Sequence, residues 1–343
     1  MSRDEKNSTC VLLFFLHVGT YTNSMKRIYT FGHEQVDRNI TVGDMLDNKK
    51  NDIKMTQVTA GNQEEAEIVA SQDIDMIITG SDWYQDVRKG APNTFITAAL
   101  FAGRFVTNEE ILRGAFDVMM NGADSVLTPR SMDVVEMLAK EGMQVQGHVG
   151  MVPSMATKYG GIRTVGKTAD EAISILKNMK RLEDAGAFGA EVECVAEDAL
   201  IELKKHTSLV LNSLGSGSGG DVMFLFFEDI CGETTGIKMP RHAKSWGDGK
   251  SLKEKLNLER SKAIKSFKDE VEKNTYPDDD HVVEMLPGEK DILLEKLDSM
   301  YEKLAEISSR FRNYRYRVQL YRKIRDATLL SINRYCRGCF LYY

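Results

Sequence analysis

Residues 188–215 read FGAEVECVAEDALIELKKHTSLVLNSLG, and the fold turns on how this stretch is divided. An apolar run, FGAEVECV, gives way to EDALIELKKHT, whose apolar residues recur at helical spacing, and then to a second apolar run, SLVLNSLG. Short apolar runs separated by amphipathic helices are the pattern of parallel strands covered on both faces. The same rhythm extends toward the N-terminus through IKMTQVTA (53–60), DMIITG (75–80), TFITAALF (94–101), SVLTP (125–129) and QVQGHVG (144–150), each followed by a helical segment. Toward the C-terminus VMFLFFEDICG (222–232) reads as a helix, with the eighth strand expected near GIKMP (236–240). An open doubly wound sheet and a closed barrel compete for this order. No GxGxxG follows the first strand, and about 220 residues of alternation fit a barrel better. The expectation is an α/β protein, a (β/α)8 TIM barrel over about residues 40–245 with a C-terminal helical extension.

Composition narrows the function. The 343 residues carry a net charge of −6, five cysteines and 42% hydrophobic residues. An acidic chain is not built to neutralise phosphates, so nucleic acid is not an expected partner and small-molecule chemistry is the default. Scattered cysteines, odd in number, are no secreted disulfide framework and suggest a cytoplasmic protein. The apolar run CVLLFFLHV (10–18) is too short to span a bilayer, and no membrane role is expected. Residues 1–24 read as an extension outside the fold, 25–285 as the barrel domain and 286–343 as helical. The last segment interleaves arginine with tyrosine and ends near Cys336 and Cys339, a lone CxxC to which no metal is assigned.

Barrels place their chemistry at the carboxyl ends of the strands. Those ends carry GSD (80–82), His148, Glu193 and NSLGSGSGGD (212–221). Strand alternation puts Glu191 and Glu193 on one face, pointing toward the barrel interior. An interior carboxylate is either paired with a cation or held for proton transfer, and spacing alone leaves both readings open. His148 lies between Gly147 and Gly150, which would leave room around its ring. GSGSGG is compatible both with an anion cradle opening a helix and with a flexible turn.

Taken in order, GHVGMVPS, KYGGIRTVGKTADEA, LEDAGAFGAEVECV, GSGSGGD, EDICG and MPRHAKSW resemble the ketopantoate hydroxymethyltransferase family, and RKGAPN (88–93) and TYPDDDHVVEM (275–285) fit as well. The resemblance covers roughly residues 40–285 and implies a barrel related to the phosphoenolpyruvate mutase and isocitrate lyase superfamily. It implies transfer of a one-carbon unit from methylenetetrahydrofolate to a 2-oxoacid, 3-methyl-2-oxobutanoate, with Mg2+ as cofactor, in a homo-oligomer. It assigns the proton shuttle to Glu193, substrate contacts to His148 and Ser81, and a metal contact to Asp82. The chain departs from the family where Ser81 and Asp82 appear in reversed order, so that Asp82 reaches the mouth only if a bulge at Gly80 turns it. It departs again where acidic and lysine positions fall on Ala99, Leu127 and Pro129. These departures keep two other readings open: a different oxoacid enzyme of that superfamily, such as a carbon–carbon lyase, and a noncatalytic oxoacid-binding barrel.

Overall fold

The structure is a computed structural model and describes residues 25–310 apart from 102 and 237. The N-terminal extension and the Cys336/Cys339 pair lie outside the described residues. The chain forms two compact units, divided after Asn257. In chain order the first contains β1 (Lys26–Tyr29), β2 (Gln35–Arg38), α1 (Val42–Lys50), β3 (Met55–Thr59), α2 (Gln63–Ala70), β4 (Met76–Gly80), α3 (Tyr84–Gly90), β5 (Phe95–Ala99) and α4 (Asn108–Met120). It continues with β6 (Ser125–Leu127), α5 (Met132–Lys140), β7 (Val145–Gly150), α6 (Ala169–Asp184), β8 (Gly189–Glu193), α7 (Glu197–Lys204), β9 (Val210–Leu214), β10 (Val222–Leu225) and α8 (Phe227–Cys231). Helix α9 (Gly249–Glu272) runs across the division, and α10 (Glu289–Arg310) belongs to the second unit. Within that unit Tyr276 packs edge-on against Phe267 and lies beside His281.

Strands β3 to β10 close into a parallel barrel in the order β10-β3-β4-β5-β6-β7-β8-β9, as the sequence rhythm implies. The eighth strand, however, is not at GIKMP. VMFLFFEDICG, read above as one helix, divides into β10 and α8, and β10 pairs Val222 with both Met55 of β3 and Asn212 of β9. An apolar run buried on both faces carries no period that separates strand from helix, so flanking context decides.

The glycine-rich segment is what sets β10 apart from the other strands. Between β9 and β10 there is no covering α-helix, only a single 3-10 turn at Gly217–Gly219, and residues 215–221 bring the chain back to the start of the next strand. The run must thread close to neighbouring backbone: a Cβ on Gly220 would stand 2.7 Å from Ser213 Cβ and 2.8 Å from Leu211 O, and one on Gly217 2.6 Å from Glu197 Oε1. Glu197, at the start of α7, accepts from Ser218 N (2.7 Å) and Oγ (2.8 Å). These glycines therefore serve a tight crossover, and no helix opens at Asp221 to cradle an anion.

The barrel interior is layered. At the amino end Met55, Met76, Phe95, Val210 and Val222 pack together. Above them lies a polar layer in which Asn212 Nδ2 donates to Gln57 Oε1 (2.8 Å) and Gln146 Oε1 (3.3 Å), Gln146 Nε2 donates to Thr97 Oγ1 (3.3 Å), and the Thr97 and Ser125 hydroxyls meet at 2.8 Å. At the carboxyl end Ile78, Ala99, Leu127, Leu214 and Phe224 form an apolar layer. The alternate residues, among them Ile77, Ile96, Val126, Val149, Val192 and Leu211, face outward and join the main core.

Buried ion pairs fasten the amino end. Asp124, at the base of β6, accepts from Arg38 Nε (2.7 Å) and Arg88 Nη2 (2.6 Å), tying the β1–β2 hairpin and the RKGAPN segment to the barrel. Asp221 likewise receives Lys49 (3.0 Å) and Lys204 (3.1 Å). A groove of about 890 Å³ opens among Lys49, Lys54 and Lys204, but these lysines are engaged by Asp221, Asp52 and the Ser218 and Gly220 carbonyls. Such contacts belong to the stabilising face of a barrel.

Candidate active site

Strands β7 and β8 pair in parallel with His148 opposite Glu191 and Gly150 opposite Glu193. Glu191 and Glu193 are two residues apart on one strand, so both carboxyls project to the same side, and the register brings the imidazole between them. His148 Nε2 donates to Glu193 Oε2 at 3.0 Å and lies 3.7 Å from Glu191 Oε1. All three side chains are largely buried, at 9%, 10% and 17% exposure for His148, Glu191 and Glu193.

The strand ends that carry them are pinned. Met151 N donates to Glu193 O (2.7 Å), Cys194 N to Leu214 O (2.8 Å), and Val165 N to Cys194 O (2.9 Å). Cys194 adopts a positive φ of 49°, which turns the chain directly after Glu193. The glycines around His148 do not make space for a ligand. A Cβ on Gly147 would collide with the Leu182 methyls of α6 on the outer face, and Gly150, at φ 87°, lies against the Glu193 carbonyl.

Burial disfavours charge on His148, but the hydrogen bond to Glu193 and the attraction of both carboxylates outweigh it and raise the imidazole above its ordinary 6.5. For Glu191, burial raises the carboxyl and repulsion from Glu193 adds to it, against the attraction of His148. The group therefore holds a proton readily and is poised for acid–base work.

These side chains open into a cavity of about 560 Å³ at the carboxyl ends of the strands. It is lined by His148, Glu191 and Glu193, by the apolar layer of Ile78, Ala99, Leu127, Leu214 and Phe224, and also by Glu65 and Glu228. The rim carries Trp83 and Phe101, each 55% exposed, and Phe226 at 39%. Gly80 lies beneath the first two rings, where an added Cβ would be 3.3 Å from each. Among the described residues His148, Glu191 and Glu193 also form a group whose ligand atoms all lie within 4.8 Å of one another.

The other sequence-predicted residues lie elsewhere. The ladder continues through Gly80 opposite Ala99 and into Ser81, whose N–H donates to Ala99 O (3.1 Å). Asp82 is half-exposed, forms an ion pair with Arg104, and does not line the cavity; nor does Ser81. Sequence reasoning missed Trp83 and Phe224. The signal for Trp83 was present, since it is a large aromatic three residues after a strand-end glycine. Phe224 was hidden when its strand was read as a helix.

The family model described as ketopantoate hydroxymethyltransferase matches residues 82–279, more than half of the chain. The 3-methyl-2-oxobutanoate hydroxymethyltransferase of Francisella tularensis subsp. novicida is 27% identical over 258 residues, covering 68% of this chain and 94% of that protein. The protein of the same name from Kosmotoga olearia is 29% identical over 262 residues, covering 69% and 95%. Among solved structures, 2,3-dimethylmalate lyase, a phosphoenolpyruvate mutase/isocitrate lyase superfamily member, aligns with a TM-score of 0.42 at 10% identity, over 78% of this chain and all of that one.

Proposed function

The chain belongs to the ketopantoate hydroxymethyltransferase family, and on that premise we propose that it transfers a one-carbon unit from methylenetetrahydrofolate to the C3 carbon of 3-methyl-2-oxobutanoate. The observation that carries the reading is the His148–Glu193 pair in a cavity at the carboxyl face of the barrel. Glu193 accepts the C3 proton of the oxoacid, and the electron pair of that C–H bond forms the new carbon–carbon bond to the one-carbon unit. The unit's two C–N bonds to the donor break, water supplies the hydroxyl, and the displaced C3 proton and one proton of the water end on the tetrahydrofolate nitrogens. His148 donates a hydrogen bond to the oxygen on which enolate charge gathers, where a donor in a water-poor site counts for more than it would in water. The apolar wall takes the branched alkyl group of the oxoacid. The aromatic rim of Trp83, Phe101 and Phe226 suits a flat pterin donor.

Mg2+, implied by the resemblance, would supply Lewis acidity at the oxoacid oxygens when bound. The residues of the β4–β6 wall do not fit it: Asp82 is engaged by Arg104, and Ala99 and Leu127 belong to an apolar layer. Mg2+ takes oxygen ligands in near-octahedral geometry, which that wall does not provide. The same apolar wall favours a second reading, carbon–carbon bond chemistry on a different oxoacid. Incubating the protein with a panel of 2-oxoacids, with and without methylenetetrahydrofolate, separates the two. Hydroxymethylated product formed only with the donor supports the first, and donor-independent cleavage or no turnover sinks it.

A further inference from the structure

Beyond the residues matched by the family model, α10 presents an apolar stripe. Leu293, Leu297, Met300, Leu304 and Ile307 recur at alternating spacings of four and three, which sets the five side chains along one line of the helix. Each is between 37% and 59% exposed. A helix face built for water carries polar side chains, so a continuous apolar seam of this kind calls for a cover. We propose that α10 and the segment following it pair antiparallel with the same segment of a second copy of this chain.

The register carries on in the sequence past the described residues. Phe311, Tyr314, Val318 and Tyr321 fall at the next four seam positions, so that nine in succession are apolar. A seam sustained over about four heptads is the pattern of helices that associate along their length.

Two features choose the partner. No glycine or proline occurs between Gly288 and Gly338, so the sequence supplies no turn by which the following segment could fold back onto its own α10. The cover comes from another chain. Charge then selects a second copy and its direction: residues 289–306 carry six acidic and three basic side chains, whereas 311–325 carry six basic and no acidic ones. Parallel copies would set basic half against basic half. Antiparallel copies set the acidic half of each against the basic half of the other. With Leu304 of one copy opposite Ile307 of the other, Met300 faces Phe311, Leu297 faces Tyr314 and Leu293 faces Val318, and every layer is apolar.

This inference concerns assembly and holds whatever reaction the barrel catalyses. The test uses the full chain carrying Cys10→Ser, Cys336→Ser and Cys339→Ser. Leu304→Glu with Ile307→Glu retains a good helix former while charging the central layers, and light scattering should show the particle mass falling to half or less. Ile292→Glu, at a similarly exposed position off the seam, should leave the mass unchanged. Leu297→Cys with Tyr314→Cys should oxidise to a covalent dimer, because these positions lie about 25 Å apart along one helix and meet only between antiparallel copies. Leu297→Cys alone, which would meet its equivalent in a parallel pair, should remain uncross-linked on a non-reducing gel. Unaltered mass in Leu304→Glu with Ile307→Glu, an equal fall in Ile292→Glu, no covalent dimer from the double cysteine variant, or cross-linking of Leu297→Cys alone would overturn the proposal.

Discussion

His148 Nε2 lies 3.0 Å from the Glu193 carboxylate across two adjacent parallel strands, with Glu191 Oε1 3.7 Å away on its other side. The imidazole is thereby held above its ordinary 6.5 in spite of burial. In chelator-treated protein the His148 ring resonances, followed by NMR of histidine-labelled chain, should titrate above that value. In Glu193→Gln, which removes a hydrogen-bonded charge, the midpoint should fall. A titration unchanged by the substitution would show that Glu193 does not control the ring.

Glu191 predicts a stability effect of definite sign. Its carboxyl is raised above 4.5 by burial, so folding favours the protonated form. That contribution is fully present below 4.5 and is lost as pH rises through the raised folded value. Glu191→Gln removes the cost of the buried charge. In metal-free protein the variant should melt a few degrees above wild type at neutral pH and near it in acid. A lower melting temperature at neutral pH would mean that the carboxylate is stabilised by contacts not recognised above.

Glu183 has the opposite sign. Partial burial opposes its charge, but Lys180, the Ser208 hydroxyl and N–H and the Thr207 hydroxyl all donate to it and lower the carboxyl from 4.5 to about 2. Its contribution is present above 4.5 and lost as pH falls toward 2. Glu183→Ala frees the turn between α7 and β9 and should cost roughly 1–3 kcal/mol in urea unfolding at neutral pH. Much less than that would indicate that water replaces the carboxylate there.

How far the sequence could be read depended on which physical signal each residue carried. Seven of the barrel strands were legible because apolar runs alternate with amphipathic helices. Glu191 and Glu193 were legible because strand periodicity fixes the face of a residue, and His148 because it stands at the carboxyl end of a strand. β10 was not, since VMFL is apolar without a period and its preceding connection lacks the usual helix. The role of the glycines was also hidden: sequence gives their flexibility, and only tertiary contacts with Leu182, Ser213 and Glu197 give the reason for them. The position of Asp82 depended on Arg104, a partner 22 residues away that no local pattern specifies.

The crossover between β9 and β10 gives a further expectation. Gly220→Ala would place a methyl 2.7 Å from Ser213 Cβ and 2.8 Å from Leu211 O, with a backbone oxygen on one side that cannot yield. A loss of roughly 1–3 kcal/mol is expected by chemical denaturation. A neutral substitution would mean that the segment shifts freely and that the absence of an α-helix there is not enforced by close packing.

Proton removal by Glu193 is the central step of the proposed reaction. The direct measurement is exchange of the C3 proton of 3-methyl-2-oxobutanoate in deuterated buffer, followed by NMR with no one-carbon donor present, in metal-free and in metal-loaded protein. Wild type is expected to catalyse exchange in at least one of these forms. Glu193→Gln should reduce it by about 10²–10⁴-fold while still binding the oxoacid. Exchange at the wild-type rate in Glu193→Gln, or no exchange by wild type in either form, would contradict the assignment.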